Sequence, residues 1–132
     1  MIEIYLDENL SEYVADALNS LNKGYFKDIL VYSTKIKFGK GQQDEIIIPA
    51  IGTSKGILVT KDLNIHKTRF QYQLCEQYGM GVFFLKMQKG LDKHWEIVKL
   101  LINSWEEMLG IISKSQEPFG YEIPIRGRMR KL

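Results

Sequence analysis

The chain has 132 residues, 45% of them apolar, with a single cysteine and a formal net charge of +2. That length fits one domain, the apolar fraction is too high for a disordered chain, and so small a charge gives no argument for a nucleic-acid partner by itself. A lone cysteine cannot form an internal disulfide, the N-terminus lacks a basic stretch leading into a long apolar run, and no uncharged apolar segment approaches the ~20 residues of a membrane span, so a reducing, cytoplasmic setting without membrane contact is expected.

Ile2 to Leu6 reads as a near-continuous apolar strand, the pattern of a strand buried on both faces. It runs into Asp7-Glu8-Asn9, and a helix is expected from Leu10 to Leu21, with Leu10, Val14, Ala17, Leu18 and Leu21 on one stripe and Gly24 as a left-handed cap. Asp28 to Tyr32 reads as a second strand. The segment from Thr34 to Gly41 is polar and basic, with glycine breakers, and is expected to be a mobile loop. A helix over Gln43 to Ser54 carries Asp44 and Glu45 in its first turn, where the helix dipole favours negative charge. Pro49 conflicts with that helix, because proline costs about 3 kcal/mol in a helix interior.

Ile57 to Thr60 is the third strand, followed by Lys61-Asp62-Leu63-Asn64 and a helix over Lys67 to Tyr78. Val82 to Leu85 is the fourth strand. A long helix is expected from Asp92 to Ile112, with Trp95, Val98, Leu101, Ile102, Trp105, Leu109 and Ile112 on a stripe wide enough to cover a sheet face or a partner. Strands alternating with helices predict an α/β fold of three layers, a mostly parallel four-stranded sheet with helices on both faces. The domain is expected to occupy residues 1–112, and residues 113–132 form a basic tail or arm, with Gly120 to Ile125 as an edge strand or extended segment.

Three acids occupy comparable places in this scheme. Asp7 ends the first strand, Asp62 follows the third, and Asp44 begins the helix between the second and third strands. In an open α/β sheet, ligands gather at the carboxyl ends of strands. If the first and third strands are neighbours, all three acids face one cleft, with Glu8, Glu45 and Asn64 as further oxygen donors. Such a set repels itself unless a hard cation such as Mg²⁺ or Mn²⁺ offsets it, and such an ion can activate water and neutralise a phosphate. The favoured reaction is phosphodiester hydrolysis. The plainer alternative is turn and capping chemistry, which Asp and Asn serve in any fold.

Leu6-Asp7-Glu8-Asn9-Leu10-Ser11, Asp44-Glu45-Ile46-Ile47, Ile57 to Asp62 and Gly81 to Leu85, in this order and spacing, resemble the PIN-like superfamily, and most of all its small bacterial members related to VapC-type toxins. The resemblance spans roughly residues 1 to 86. It implies a metal-dependent ribonuclease fold, with Asp7, Asp44 and Asp62 as metal ligands and RNA and a cognate antitoxin as partners. Asn64 stands where many relatives have another acid, usually followed by an aromatic residue; here Ile65 follows.

Among the remaining candidates, Thr60 can bond a site carboxylate or a phosphate, or simply end a strand. Lys67, Arg69 and Lys40 are candidate phosphate contacts, with a solvated surface as the alternative, and the basic tail can attract RNA through its phosphates. His66 reads as a surface residue at a helix start, with substrate contact or proton transfer as the alternative, His94 reads as structural, and Cys75 as a buried thiol. The wide stripe on the last helix leaves room for a dimer or antitoxin contact. The expectation is therefore an Mg²⁺- or Mn²⁺-dependent endoribonuclease, the toxin of a toxin–antitoxin pair. Its rival is a PIN-like module that binds RNA or protein without cutting. A receiver or phosphatase fold is disfavoured, because Tyr32-Ser33 stand where a receiver carries an acid.

Overall fold

The structure is a computed structural model describing residues 1–26, 28–61 and 64–132. Alternation of side chains along each strand builds it. In β1 (Ile2–Leu6), Ile4 and Leu6 point to one face and Tyr5 to the other; in β3 (Ile57–Lys61), Ile57 and Val59 oppose Leu58; in β4 (Gly81–Lys86), Phe83 and Leu85 oppose Val82 and Phe84. These strands are apolar on both faces because both faces are covered, as a parallel sheet requires.

Helices α1 (Glu12–Asn22) and α5 (His94–Lys114) pack on one face, through Val14, Ala15 and Leu18 of the first and Ile97, Leu101 and Trp105 of the second. The Trp105 indole donates to Asn22 Oδ1 at 3.0 Å, tying the end of α1 to the middle of α5. Helices α3 (Asp44–Thr53) and α4 (Ile65–Gln77) cover the other face, through Ile47, Ile48, Ile51 and Cys75. The remaining elements are β2 (Ile29–Ser33), the short α2 (Thr34–Phe38), β5 (Phe119–Pro124) and β6 (Arg130–Lys131). Strand order is β2-β1-β3-β4-β5-β6, parallel except for the antiparallel β5–β6 pair.

The three-layer α/β arrangement is the one expected, but the sheet has six strands rather than four. The difference lies beyond α5, where β5 pairs along the whole of β4 and β6 closes the edge. Gly81 makes that pairing possible: a Cβ there would lie 2.2 Å from Phe119 Cζ, so the ring needs a bare backbone beneath it. Other expectations are corrected locally. Thr34 to Phe38 forms a helix rather than part of a loop, and Phe38 stacks at 5.9 Å on Tyr5, an apolar anchor that a reading of local polarity overlooks. Helix α3 runs through Pro49. Gly24 does not take the left-handed conformation. Trp95 is 68% exposed and is not core. Among the described residues, no helix is long and apolar enough to cross a membrane.

Gly81→Ala is expected to destabilise the protein by about 1–3 kcal/mol, the cost of forcing a methyl into a filled site. Urea unfolding of the variant checks this. An unchanged midpoint would mean that Phe119, and with it β5, does not sit against β4.

Candidate active site

The pairing of β1 with β3 generates the site. Leu6 lies opposite Val59, so Asp7 follows on beside Thr60, and alternation turns both toward the face covered by α3 and α4. The Asp7 N–H donates to Val59 O at 2.9 Å, extending the strand pairing by one residue. Thr60 Oγ1 donates to Asp7 Oδ2 at 3.1 Å, and the Asn9 side-chain amide donates to the same oxygen at 3.0 Å. Burial nevertheless raises the Asp7 carboxyl above its ordinary value of 3.8. The Thr60 and Glu8 hydrogen bonds act against that rise, and the negative charges of Asp44 and Glu8 add to it.

Asp44 comes from the first turn of α3. Helix α4 meets it with two side chains one turn apart: Lys67 Nζ lies 2.9 Å from Asp44 Oδ2, and Gln71 Nε2 donates to that oxygen at 3.3 Å. The Lys67 ammonium is held above its usual range by Asp44 first, with Glu45 and Asp7 adding to the effect. Gln71 is 2% exposed, and its Oε1 is buried without a hydrogen-bond partner. Glu8 accepts the Gly41 N–H at 2.9 Å, closing the rim. Together Asp7, Glu8, Asp44 and Glu45 line one polar cleft of about 470 Å³, with Asn9, Gln42, Gln43, Lys67 and Gln71.

The structure thus brings Asp7, Asp44, Glu8 and Glu45 together, as the sequence suggests, and adds Thr60 as the hydroxyl that holds Asp7. Asp62 lies outside the described residues, and no placement is assigned to it. Asn64 takes the capping role instead: its side chain accepts from Lys67 N at 2.9 Å at the start of α4, and it does not line the cleft. Lys67 is in the cleft, but its charge is committed to Asp44. Lys40 is exposed on the loop beside the Glu8–Gly41 contact, and Arg69 faces a different groove, across α4. Cys75 is fully buried, and its thiol is pushed up to about 12, mainly by burial, so it is inert.

Sequence reasoning missed Asn9 and Gln71. Asn9 stands in the quoted Asp-Glu-Asn run, but nothing local shows that its amide turns back onto Asp7. Gln71 stands four residues after Lys67, and that spacing was the available signal. What makes a buried glutamine tolerable is Asp44, a partner 27 positions away.

A model of the family described as PIN like domain matches residues 2–87, about two-thirds of the chain. The chain belongs to the PIN-like domain family. No curated protein and no solved structure matches it. The matched region of this PIN-like protein holds β1 through β4 and every residue of the acidic cleft; α5, β5 and β6 lie beyond it.

PIN-like folds are associated with nucleases, which makes divalent metal the relevant test of the cleft. Among the described residues, no three acid, histidine or cysteine groups are gathered closely enough to hold a metal. The donors that are present fit a hard cation in kind. They are carboxylate and amide oxygens, and the buried, unpartnered Gln71 Oε1 is an oxygen without a use in the fold.

Because the folded-state pKa of Asp7 is raised, the folded protein favours the protonated form more than the unfolded chain does. The neutral carboxyl costs nothing at low pH. As pH rises from about 3.8 through the raised folded value, the charged form destabilises the fold. Asp7→Asn is therefore expected to raise the melting temperature in metal-free buffer at pH 7, with the gain vanishing below pH 3.8. Calorimetric scans across that range test it; a gain independent of pH would contradict it.

Proposed function

We propose that this protein is an Mg²⁺- or Mn²⁺-dependent endoribonuclease, with Asp7 and Asp44 as principal metal-holding and catalytic residues and Asp62 as the third. The observation that carries this reading is the convergence of Asp7 and Asp44 on one cleft from segments far apart in the chain, against their mutual repulsion. Burying a carboxylate beside another costs stability, and such costs concentrate at functional sites. Glu8, Glu45 and Gln71 line the same cleft and would supply further oxygens. When bound, a divalent ion supplies charge neutralisation at the phosphate and acidifies a water.

The protein's own residues do the rest. Thr60 and Asn9 fix the Asp7 carboxylate by bonding the same oxygen, Oδ2. Gln71 positions Asp44 from the helix above. Lys67 neutralises Asp44, and its ammonium would have to give way for Asp44 to hold a divalent ion. The released ammonium would then be able to meet a phosphate.

The finer assignment is the toxin of a toxin–antitoxin pair, held in check by a cognate antitoxin. An exposed apolar groove between α1 and α5 supports a protein partner, an antitoxin or a second copy. Tyr13 and Trp95 line it at 73% and 68% exposure, with Ile102 beside them.

A second reading is a PIN-like module that binds without cutting. It is favoured by the occupation of Asp44 by Lys67 and by the use of Asn64 as a cap.

Cleavage of RNA with Mn²⁺ or Mg²⁺ separates the readings. Asp7→Asn and Asp44→Asn are each expected to lower the rate by about 100-fold or more, the scale on which electrostatic catalytic groups act. Equal cleavage by wild type and both variants would remove the mechanism. Titration calorimetry with Mn²⁺ tests the competition: Lys67→Met is expected to bind the ion more tightly than wild type, and weaker binding would show Lys67 supporting the site rather than competing for it.

A further inference from the structure

Helix α4 separates two depressions. On one side is the acidic cleft; on the other is a groove of about 440 Å³ in which Ile65, Arg69 and Tyr72 of α4 face Lys86, Glu122 and Arg130. The second groove has a built base. Glu122 lies opposite Phe84 in the β4–β5 register, on the α4 face of the sheet, and its side chain is 10% exposed. Its carboxylate is bonded by Arg130 Nη2 and lies 4.0 Å from Lys86 Nζ. One buried acid thus anchors two cations whose side chains remain largely in solvent, and the exposed Arg69 adds a third from the opposite wall. Among the side chains that line the groove, three cations face one carboxylate. Tyr72 presses against bare backbone, since a Cβ at Gly120 would lie 2.5 Å from its Cε1, and with Ile65 it gives the groove an apolar wall.

The acidic cleft cannot hold a polyanion by itself. Four carboxylates line it, and its ammonium is committed to Asp44. A substrate with a phosphate backbone has to draw its affinity from elsewhere on the surface. Guanidinium and ammonium groups beside an aromatic, apolar wall are the chemistry that receives phosphates and the sugars and bases between them. An α-helix with its side chains is about 10–12 Å across. A single strand crossing that width places neighbouring nucleotides in the two depressions.

We propose that the Arg69–Lys86–Arg130 groove binds the backbone of a single RNA strand, holding it across the N-terminal half of α4 so that a neighbouring nucleotide reaches the acidic cleft. This rests on the nuclease reading, but binding can be measured without cleavage.

The test is fluorescence anisotropy of a labelled 12-nucleotide single-stranded RNA in EDTA, over a range of salt, using full-length protein. Arg69→Glu/Lys86→Glu is expected to weaken binding at least tenfold and to lower the magnitude of the salt slope by about 1.4, the loss of two single-strand phosphate contacts. Lys23→Glu/Lys114→Glu changes net charge equally, away from the groove, and is expected to weaken binding less than twofold. Both substituted positions in the groove variant are exposed, and melting curves check that it folds. Arg69→Lys is expected to keep most of the affinity. Equal weakening by the two double variants would reduce the effect to net charge and overturn the proposal, as would an absence of RNA binding by wild type. Competition by adenosine monophosphate at the oligonucleotide's own affinity would also overturn it, marking a small-ligand site. An Asp7→Asn protein that binds this RNA normally but does not cut it keeps the two readings distinguishable. If wild type binds through the groove and never cleaves, the nuclease reading fails and the groove stands.

Discussion

The burial of the Asp7 carboxylate, in a cleft that it shares with Asp44, is the constraint around which the matched part of the chain is arranged. A carboxylate at the end of a central strand is costly when the strand is buried on both sides, and a second one in the same cleft raises the cost. The fold contains it with directed groups: the Thr60 hydroxyl from β3, the Asn9 amide from the turn, and Lys67 with Gln71 from α4. Each reaches its acid only because β1 and β3 are adjacent and because α3 and α4 cover the same face of the sheet. The packing of the core and the electrostatics of the cleft are therefore two consequences of one strand order.

Much of this was legible in the chain because it is written in local patterns. Doubly apolar strands alternating with amphipathic segments indicate a parallel sheet, and acids at the strand-to-helix turns then fall along one edge. What escaped notice depends on distant partners. Phe119 needs Gly81 beneath it, so β5 is recognisable as a sheet strand only once β4 is in place. Phe38 folds the basic segment after β2 into a helix by stacking on Tyr5. Trp95 looks like core by its spacing, yet it lies in the first turn of α5 and stays largely in solvent. At the site, the same limit separates Asp44, found from its place at a helix start, from Gln71, whose burial has meaning only beside Asp44. Asn64 shows the converse: local capping chemistry, readable from sequence, decided its role.

Helix α4 carries the functional division of the molecule. Its residues Lys67 and Gln71 serve the acidic side, and its residues Arg69 and Tyr72 serve the basic side. In the proposed reading, a polyanionic substrate and a metal-holding cleft make opposite electrostatic demands, and a single helix between them allows both to be met. The acidic half lies inside the family match, whereas Lys86, at its end, joins Glu122 and Arg130 beyond it. In the proposed reading, cleavage chemistry and substrate grip fall to different parts of the chain, and the strands after α5 become part of the working surface.

The most direct examination of the central claim is a crystal soaked in manganese chloride, with anomalous diffraction recorded at the manganese edge. The account predicts a peak within ligand distance of both the Asp7 and Asp44 carboxylates, with the Lys67 ammonium moved off Asp44. An empty cleft at saturating Mn²⁺, with Lys67 still bonded to Asp44, would contradict it.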